Sequence, residues 1–75
     1  MEWRAYISVD PNVMHGVACV AGTRIPVSVV LDNLAAGVAP EELPASYPGL
    51  TVEAVRATLA YAADLASERV LALPA

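Results

Sequence analysis

The spacing of hydrophobic positions changes once along the chain, at Pro26. Before this proline, residues 2–9 alternate in polarity, with Ile7 and Val9 on one side, as a half-buried strand would. After it, branched apolar residues recur every three or four positions, at Val27, Val30, Leu31 and Leu34. That period predicts a first helix that ends at Gly37.

A second strand signal lies just before this proline. Val17–Val20 and Thr23–Ile25 are short runs rich in β-branched residues, and Ala21 and Gly22 connect them. A connection of this kind needs a positive φ at its second residue, which glycine adopts without strain. The segment predicts a tight hairpin. We expect residues 2–9 to pair with one of its two strands or with a second copy of the chain.

Two further helices are predicted downstream. Ala39–Leu43 would begin the second, and Pro44 should keep it short or kinked because a proline inside a helix clashes with the preceding turn. A turn follows at Tyr47–Leu50, after which Thr51 is a suitable N-cap for a third helix from Val52 to about Leu71. The apolar stripe of this helix is expected to comprise Val52, Val55, Leu59, Ala62, Ala66 and Val70.

Six short motifs occur in order along the chain: Ile7–Pro11, His15–Gly16, Gly22–Val27, Tyr47–Pro48, Leu50–Thr51 and Ala60–Ala62. Together they resemble the signature of the bacterial family called domain of unknown function 433. The resemblance implies a small homeodomain-like helix-turn-helix domain with a strand-rich N-terminus, usually dimeric. It also implies a relation to antitoxins, which are often encoded beside a toxin with a PIN-like ribonuclease fold.

The hydrophobic pattern and the resemblance together predict the fold class. We expect a mostly α protein with three helices in a homeodomain-like helix-turn-helix arrangement and an N-terminal β-hairpin or strand segment. Residues 1–75 should form a single domain. Within it, residues 1–26 would be a strand-rich dimerisation arm and residues 27–75 a helical bundle.

The hydrophobic content favours a dimer. The chain is 57% hydrophobic without counting glycine, whereas an average domain reaches about 45–50% with glycine included. A domain of this size buries only about 60% of its unfolded surface, so part of the surplus is expected to lie against another protein. The predicted dimer interface consists of Ile7, Val9, Val20, Ile25 and Tyr61.

Charge and cysteine content narrow the possible functions. Four arginines and eight acidic residues give a net charge of −4, which repels phosphate and counts against a simple nucleic-acid binder. Cys19 is the only cysteine, so an internal disulfide or a multi-cysteine metal site cannot form. No apolar run approaches the roughly 18 residues of a membrane span. The sequence has no signal-peptide pattern, and we expect a cytoplasmic location.

The helix-turn-helix interpretation places DNA contacts at the start of the third helix. Thr51, Arg56, Ala57 and Ala60 would face bases in the major groove, and Arg24 would hold a phosphate. Arg56 has an alternative role, an ion pair with Glu53 or Glu42. Operator DNA is therefore a candidate partner alongside proteins.

Thr23 and Arg24 lie on the predicted hairpin and are candidates for contact with a protein partner. A guanidinium fits a carboxylate through two parallel hydrogen bonds. A PIN-like nuclease gathers acidic residues around a metal ion, so an arginine from an inhibitor could occupy that centre. The alternative for Arg24 is a stabilising contact inside the fold, to a helix C-terminus or to Asp10 or Asp32.

The sequence does not suggest an enzyme. His15 is the only histidine and lacks a second imidazole or a nearby thiol, and the serines have no triad context. We predict no catalytic residue, cofactor, metal or small-molecule substrate. The leading hypothesis is a dimeric antitoxin that inhibits a PIN-like ribonuclease, with repression of its own operon as a further role. The alternatives are a stand-alone helix-turn-helix DNA-binding regulator and a structural assembly module.

Overall fold

The computed structural model describes residues 1–67. In this range a two-stranded antiparallel sheet precedes three helices: β1 is Ile7–Ser8, β2 is Cys19–Val20, α1 is Val27–Ala35, α2 is Leu43–Ser46 and α3 is Val52–Ser67. The predicted class, mostly α with strands at the N-terminus, is confirmed. The predictions that the third helix continues to about Leu71 and that Val70 lies on its apolar stripe fall outside the described residues.

The N-terminal strand is much shorter than the alternation over residues 2–9 predicted. β1 pairs with β2, with Ile7 opposite Val20 and Ser8 opposite Cys19. Trp3–Ala5 instead forms a 3₁₀ turn. The side chain of Glu2 accepts a hydrogen bond from the backbone N–H of Arg4 at 3.0 Å and caps this turn. The Glu2 side chain thus offers the backbone a hydrogen bond that is an alternative to strand pairing.

The turn that follows β2 forms at Gly22, as predicted. Gly22 has φ +77°, and the N–H of Thr23 donates to the carbonyl of Val20 at 3.0 Å. The chain then returns beside β2, where the N–H of Val20 donates to the carbonyl of Ile25 at 2.9 Å. Only an isolated bridge forms on this side of β2 in the described part of the chain, between Cys19 and Pro26. Proline has no N–H to extend a ladder.

The first helix agrees with the prediction from its hydrophobic period. Val27 and Val30 are buried on its inner face. At its end Gly37 has φ +96° and its N–H donates to the carbonyl of Leu34, while the N–H of Val38 donates to the carbonyl of Asn33. This pair of bonds is a Schellman motif, which satisfies carbonyls that a helix end leaves without partners.

The second helix is a single turn that begins later than expected. Residues 39–42 form a turn, in which the N–H of Glu42 donates to the carbonyl of Ala39 at 2.9 Å, so the predicted start at Ala39–Leu43 is wrong. Pro44 lies in the first turn of α2, where its missing N–H breaks no hydrogen bond of the helix. The expectation of a short helix is confirmed.

The third helix begins as predicted but presents a different face to the core. Thr51 is its N-cap, and its hydroxyl accepts the N–H of Ala54 at 3.1 Å. Leu59, assigned to the buried stripe, is 44% exposed. The 3₁₀ turn at Trp3–Ala5 also packs on this helix, with the Trp3 and Tyr61 ring centroids 4.9 Å apart. The buried positions are Ala54, Val55, Ala57 and Thr58.

The core lies where the sheet, α1, α2 and α3 meet. It is formed by six buried residues: Val20, Val30, Leu43, Leu50, Ala54 and Val55. Cys19 is also buried. Thr58 is the buried polar residue of α3, and its hydroxyl donates to the carbonyl of Val55 at 2.7 Å. The sheet is thus fixed against the helices, and the segments that flank it are held in defined positions.

Candidate partner-binding surface

An open cleft with a volume of about 390 Å³ lies beside the sheet. Two segments line it, one leaving β1 and the other following β2. The lining residues are Ser8, Asp10, Val13, Gly22, Thr23 and Arg24. The cleft therefore brings together two of the residues that the sequence singled out, Thr23 and Arg24.

The Thr23 side chain shapes this cleft. Its hydroxyl donates to the carbonyl of Val20 at 2.8 Å and accepts the N–H of Ile25 at 3.0 Å. Both hydrogen bonds stay within the turn, so they fix the backbone on each side of Arg24. The methyl group of Thr23 lies close to Gly49, in the turn before α3. A Cβ added at Gly49 would be 3.4 Å from this methyl group.

The Arg24 guanidinium points to a binding role. The residue is exposed, and within residues 1–67 the single ion pair joins Arg4 and Glu2 at 3.5 Å. The contacts considered for Arg24, with Asp10 or Asp32, are not formed. The turn thus presents a planar guanidinium that can donate two parallel hydrogen bonds to a carboxylate.

The loop between β1 and β2 forms the opposite wall. A carboxylate oxygen of Asp10 accepts the N–H of Asn12 at 2.9 Å, and the Asp10 carbonyl accepts the N–H of Val13 at 2.9 Å. Met14 and His15 then adopt left-handed conformations, with φ of 50° and 58°. Such a conformation costs a non-glycine residue about 1–2 kcal/mol and is often found at functional sites.

This loop carries exposed apolar side chains, of which Val9 was predicted from the sequence for a dimer interface and Met14 and Val17 were not. Val9, Met14 and Val17 are 65%, 43% and 46% exposed. A sign was present in the sequence, since Val13 and Met14 interrupt a polar loop. Their exposure could not be inferred from the sequence, because it depends on two consecutive residues in the left-handed conformation, which no sequence pattern predicts.

Comparison with known proteins identifies the family. The family model described as "Protein of unknown function (DUF433)" matches residues 7–62. The chain belongs to the DUF433 family. The match confirms the resemblance seen in the six motifs.

A solved structure agrees with this assignment. The DUF433 chain is similar to the crystal structure of a DUF433 member protein from Anabaena variabilis ATCC 29413, with 35% sequence identity and a TM-score of 0.73. The likeness covers 84% of this chain and 62% of that one, so the chain spans less than two thirds of the length of its structural relative. No curated protein matches it.

Apart from Arg24, the residues predicted for a DNA contact lie in or next to α3, and one of them, Ala57, is buried and cannot reach a base. The hydroxyl of Thr51 is occupied by its N-cap hydrogen bond. Arg56 is exposed, and neither Glu53 nor Glu42 pairs with it. Neither Thr51 nor Arg56 lines the cleft that holds Thr23 and Arg24.

The Thr51 cap leads to a prediction about stability. Thr51→Ala is expected to lower the free energy of unfolding by about 1 kcal/mol, because the N–H of Ala54 loses its acceptor. Thr51→Ser keeps the acceptor and should stay near the wild-type value. Urea denaturation followed by circular dichroism measures both variants. Equal stability of Thr51→Ala and wild type would contradict the capping role.

The residues predicted for a dimer interface differ in how accessible they are. Ile7 and Val20 are only 9% and 3% exposed, and they already face each other within one chain. Val9 is exposed, while Ile25 and Tyr61 are half-buried. A dimer of the DUF433 chain would therefore rest on these last three side chains. The dimer itself stays a prediction.

Two further features concern other kinds of function. Across residues 1–67, no three His, Cys, Asp or Glu side chains come together as the ligands of a metal ion would. No helix in the same range has the length and apolar character needed to cross a membrane.

Proposed function

We propose that the DUF433 chain is a cytoplasmic antitoxin, a homodimeric module that binds and inhibits a PIN-like ribonuclease. The observation that carries the proposal is the exposed guanidinium of Arg24, which lines an open cleft and has no ion pair among residues 1–67. A nuclease that collects carboxylates around a metal ion offers the ligand that such a guanidinium binds best. An arginine inserted there would also repel the metal ion.

The rest of the surface supports a protein as the partner. The net charge of −4 disfavours nucleic acid. Six large hydrophobic residues in the described range are exposed: Met1, Val9, Met14, Val17, Leu59 and Leu65. Methionine and arginine are enriched at protein interfaces, whereas phosphate-binding surfaces are dominated by basic residues.

The proposal is tested by co-expression with the product of the adjacent reading frame. We expect the two chains to elute together in size-exclusion chromatography. We also expect the partner to cleave RNA alone and to lose this activity in the complex. The control is the same partner mixed with an unrelated small acidic protein. If neither a complex nor a loss of RNA cleavage is found, the antitoxin proposal is wrong.

The dimer has its own test. Light scattering at micromolar concentration should give twice the chain mass of 7.8 kDa. Val9→Asp is expected to shift the mass toward the monomer, because a charge replaces an exposed apolar side chain of the predicted interface. Glu41→Gln, an exposed position outside that interface, is the matched control. A monomeric mass for the wild type would contradict the prediction.

A stand-alone helix-turn-helix DNA-binding regulator is the second candidate. It is favoured by Arg56, which is exposed near the start of α3 and has no ion pair within the described range. Against it, Glu53 lies in the first turn of the same helix, where it would face phosphate. This candidate predicts salt-dependent binding to the promoter of its own gene and loss of binding in Arg56→Ala.

A further inference from the structure

Two opposite charges line the cleft without pairing. Asp10 and Arg24 both contribute to its wall, yet they do not form an ion pair within 4.0 Å. One carboxylate oxygen of Asp10 accepts the N–H of Asn12. The other has no hydrogen-bond donor within residues 1–67. An acceptor and a planar donor therefore remain on one open cleft.

Exposed apolar side chains belong to the same loop. Val9 adjoins Ser8 and Asp10, which line the cleft, and the loop continues through Val13, another lining residue. The loop is compact, since the N–H of Gly16 donates to the carbonyl of Val13 and the N–H of Val17 donates to the carbonyl of Met14. Val9, Met14 and Val17 are held exposed on this compact loop.

We infer that this surface binds an acidic side chain and a hydrogen-bond-donating side chain of the same partner protein. The surface, which we term the Asp10–Arg24 face, comprises the six cleft residues with Met14 and Val17 of the adjoining loop. Its occupant is a partner protein that presents a carboxylate side chain to Arg24 and a hydrogen-bond donor, such as a lysine or an arginine, to Asp10. Apolar side chains of the partner pack on Met14 and Val17, whereas Val9 belongs to the predicted dimer interface.

The inference rests on the proposed function and specifies the chemistry of the partner. Charge complementarity favours a protein over other ligands. The cleft is open to solvent, which suits a protein surface better than a small ligand, because such ligands usually have about 70–90% of their surface buried. Asp10 would repel the phosphates of a nucleic acid or of an anionic membrane. A protein segment with neighbouring acidic and basic side chains satisfies both charges.

The test measures binding of the purified adjacent-frame product by isothermal titration calorimetry. Asp10→Asn keeps the acceptor for the N–H of Asn12, so the loop should stay intact while the charge is lost. Val17→Ser removes an exposed apolar contact. Each variant is expected to raise Kd by about tenfold or more, as truncation of an interface hot spot does. The controls are Glu41→Gln and Leu59→Ser, an exposed acid and an exposed apolar residue outside the face. They should bind within about twofold of the wild type.

The outcomes separate this inference from the antitoxin proposal. If the wild type binds and inhibits the nuclease but Asp10→Asn and Val17→Ser bind equally well, the inference is overturned and the proposed function stands. If the wild type forms no complex, both are overturned. Tight binding of a promoter duplex that is lost in Arg24→Gln would show that phosphate occupies the face, and would also overturn the inference. Thermal melting of each variant identifies any loss of affinity that is caused by unfolding.

Discussion

Replacing Leu43 with alanine is expected to lower the free energy of unfolding by about 2–5 kcal/mol. Leu43 is 1% exposed and lies among the core residues, which include Val30, Leu50 and Val55. The substitution leaves a cavity that a one-turn helix between two turns cannot close by a small shift. A domain of this size has a total stability of roughly 4–11 kcal/mol, so the variant should lose much of it.

Urea denaturation and thermal melting test this expectation. Each kcal/mol should lower the Tm by about 4–8 °C in a domain of this length, so a drop of about 10 °C or more is expected. Leu59→Ala is the matched control, because it removes the same atoms from a side chain that is 44% exposed. That variant should lose less than about 1 kcal/mol. Similar losses in the two variants would contradict the assignment of Leu43 to the core.

Reversing the charge of Arg24 is expected to have the largest effect on partner binding. Arg24→Glu places a carboxylate opposite the carboxylates of the nuclease, so attraction is replaced by repulsion. We expect Kd to rise by about 100-fold or more, as at the strongest interface hot spots. The partner should then still cleave RNA in the presence of Arg24→Glu, at a concentration at which the wild-type chain inhibits it fully.

Two control variants make the Arg24 test specific. Arg24→Lys keeps the charge but cannot form two parallel hydrogen bonds, so an intermediate loss is expected. Arg56→Glu changes the same charge at an exposed site outside the cleft and should leave inhibition intact. An equal loss in Arg24→Glu and Arg56→Glu would indicate that only net charge matters. All variants should melt close to the wild type, because Arg24 makes no ion pair inside the described fold.

The sequence predicted best the elements whose signals are local. The period from Val27 to Leu34 and the glycine at Gly37 define α1 and its end. Thr51 predicted the start of α3, and Gly22 predicted the turn after β2. In each case the residues that specify the structure are close in sequence to the residues that adopt it.

The error in the buried face of α3 concerns a helix that is in contact with a segment distant in sequence. The Trp3 indole N–H donates to the carboxylate of Asp64, and the Trp3 ring packs on Tyr61. These contacts place the N-terminal segment on α3 at Tyr61 and Asp64, while Ala54 and Val55 of the same helix belong to the core. Periodicity within α3 alone could not reveal this, because alanines on several faces of the helix allow more than one rotation.

The candidate surface was only partly predictable for the same reason. Arg24 could be selected because it follows a turn signal directly. Its proximity to Asp10 depends on the pairing of β1 with β2, and the exposure of Met14 depends on a strained loop conformation. Neither property follows from residue spacing.

Hydrogen–deuterium exchange of the chain, alone and with the adjacent-frame product, tests most directly whether a protein partner binds at the Asp10–Arg24 face. The exchange of backbone amides should slow on complex formation in residues 8–24, where the loop and the Gly22 turn lie. Amides near Arg56 should keep their exchange rates. Protection confined to the start of α3, with residues 8–24 unchanged, would contradict this binding mode.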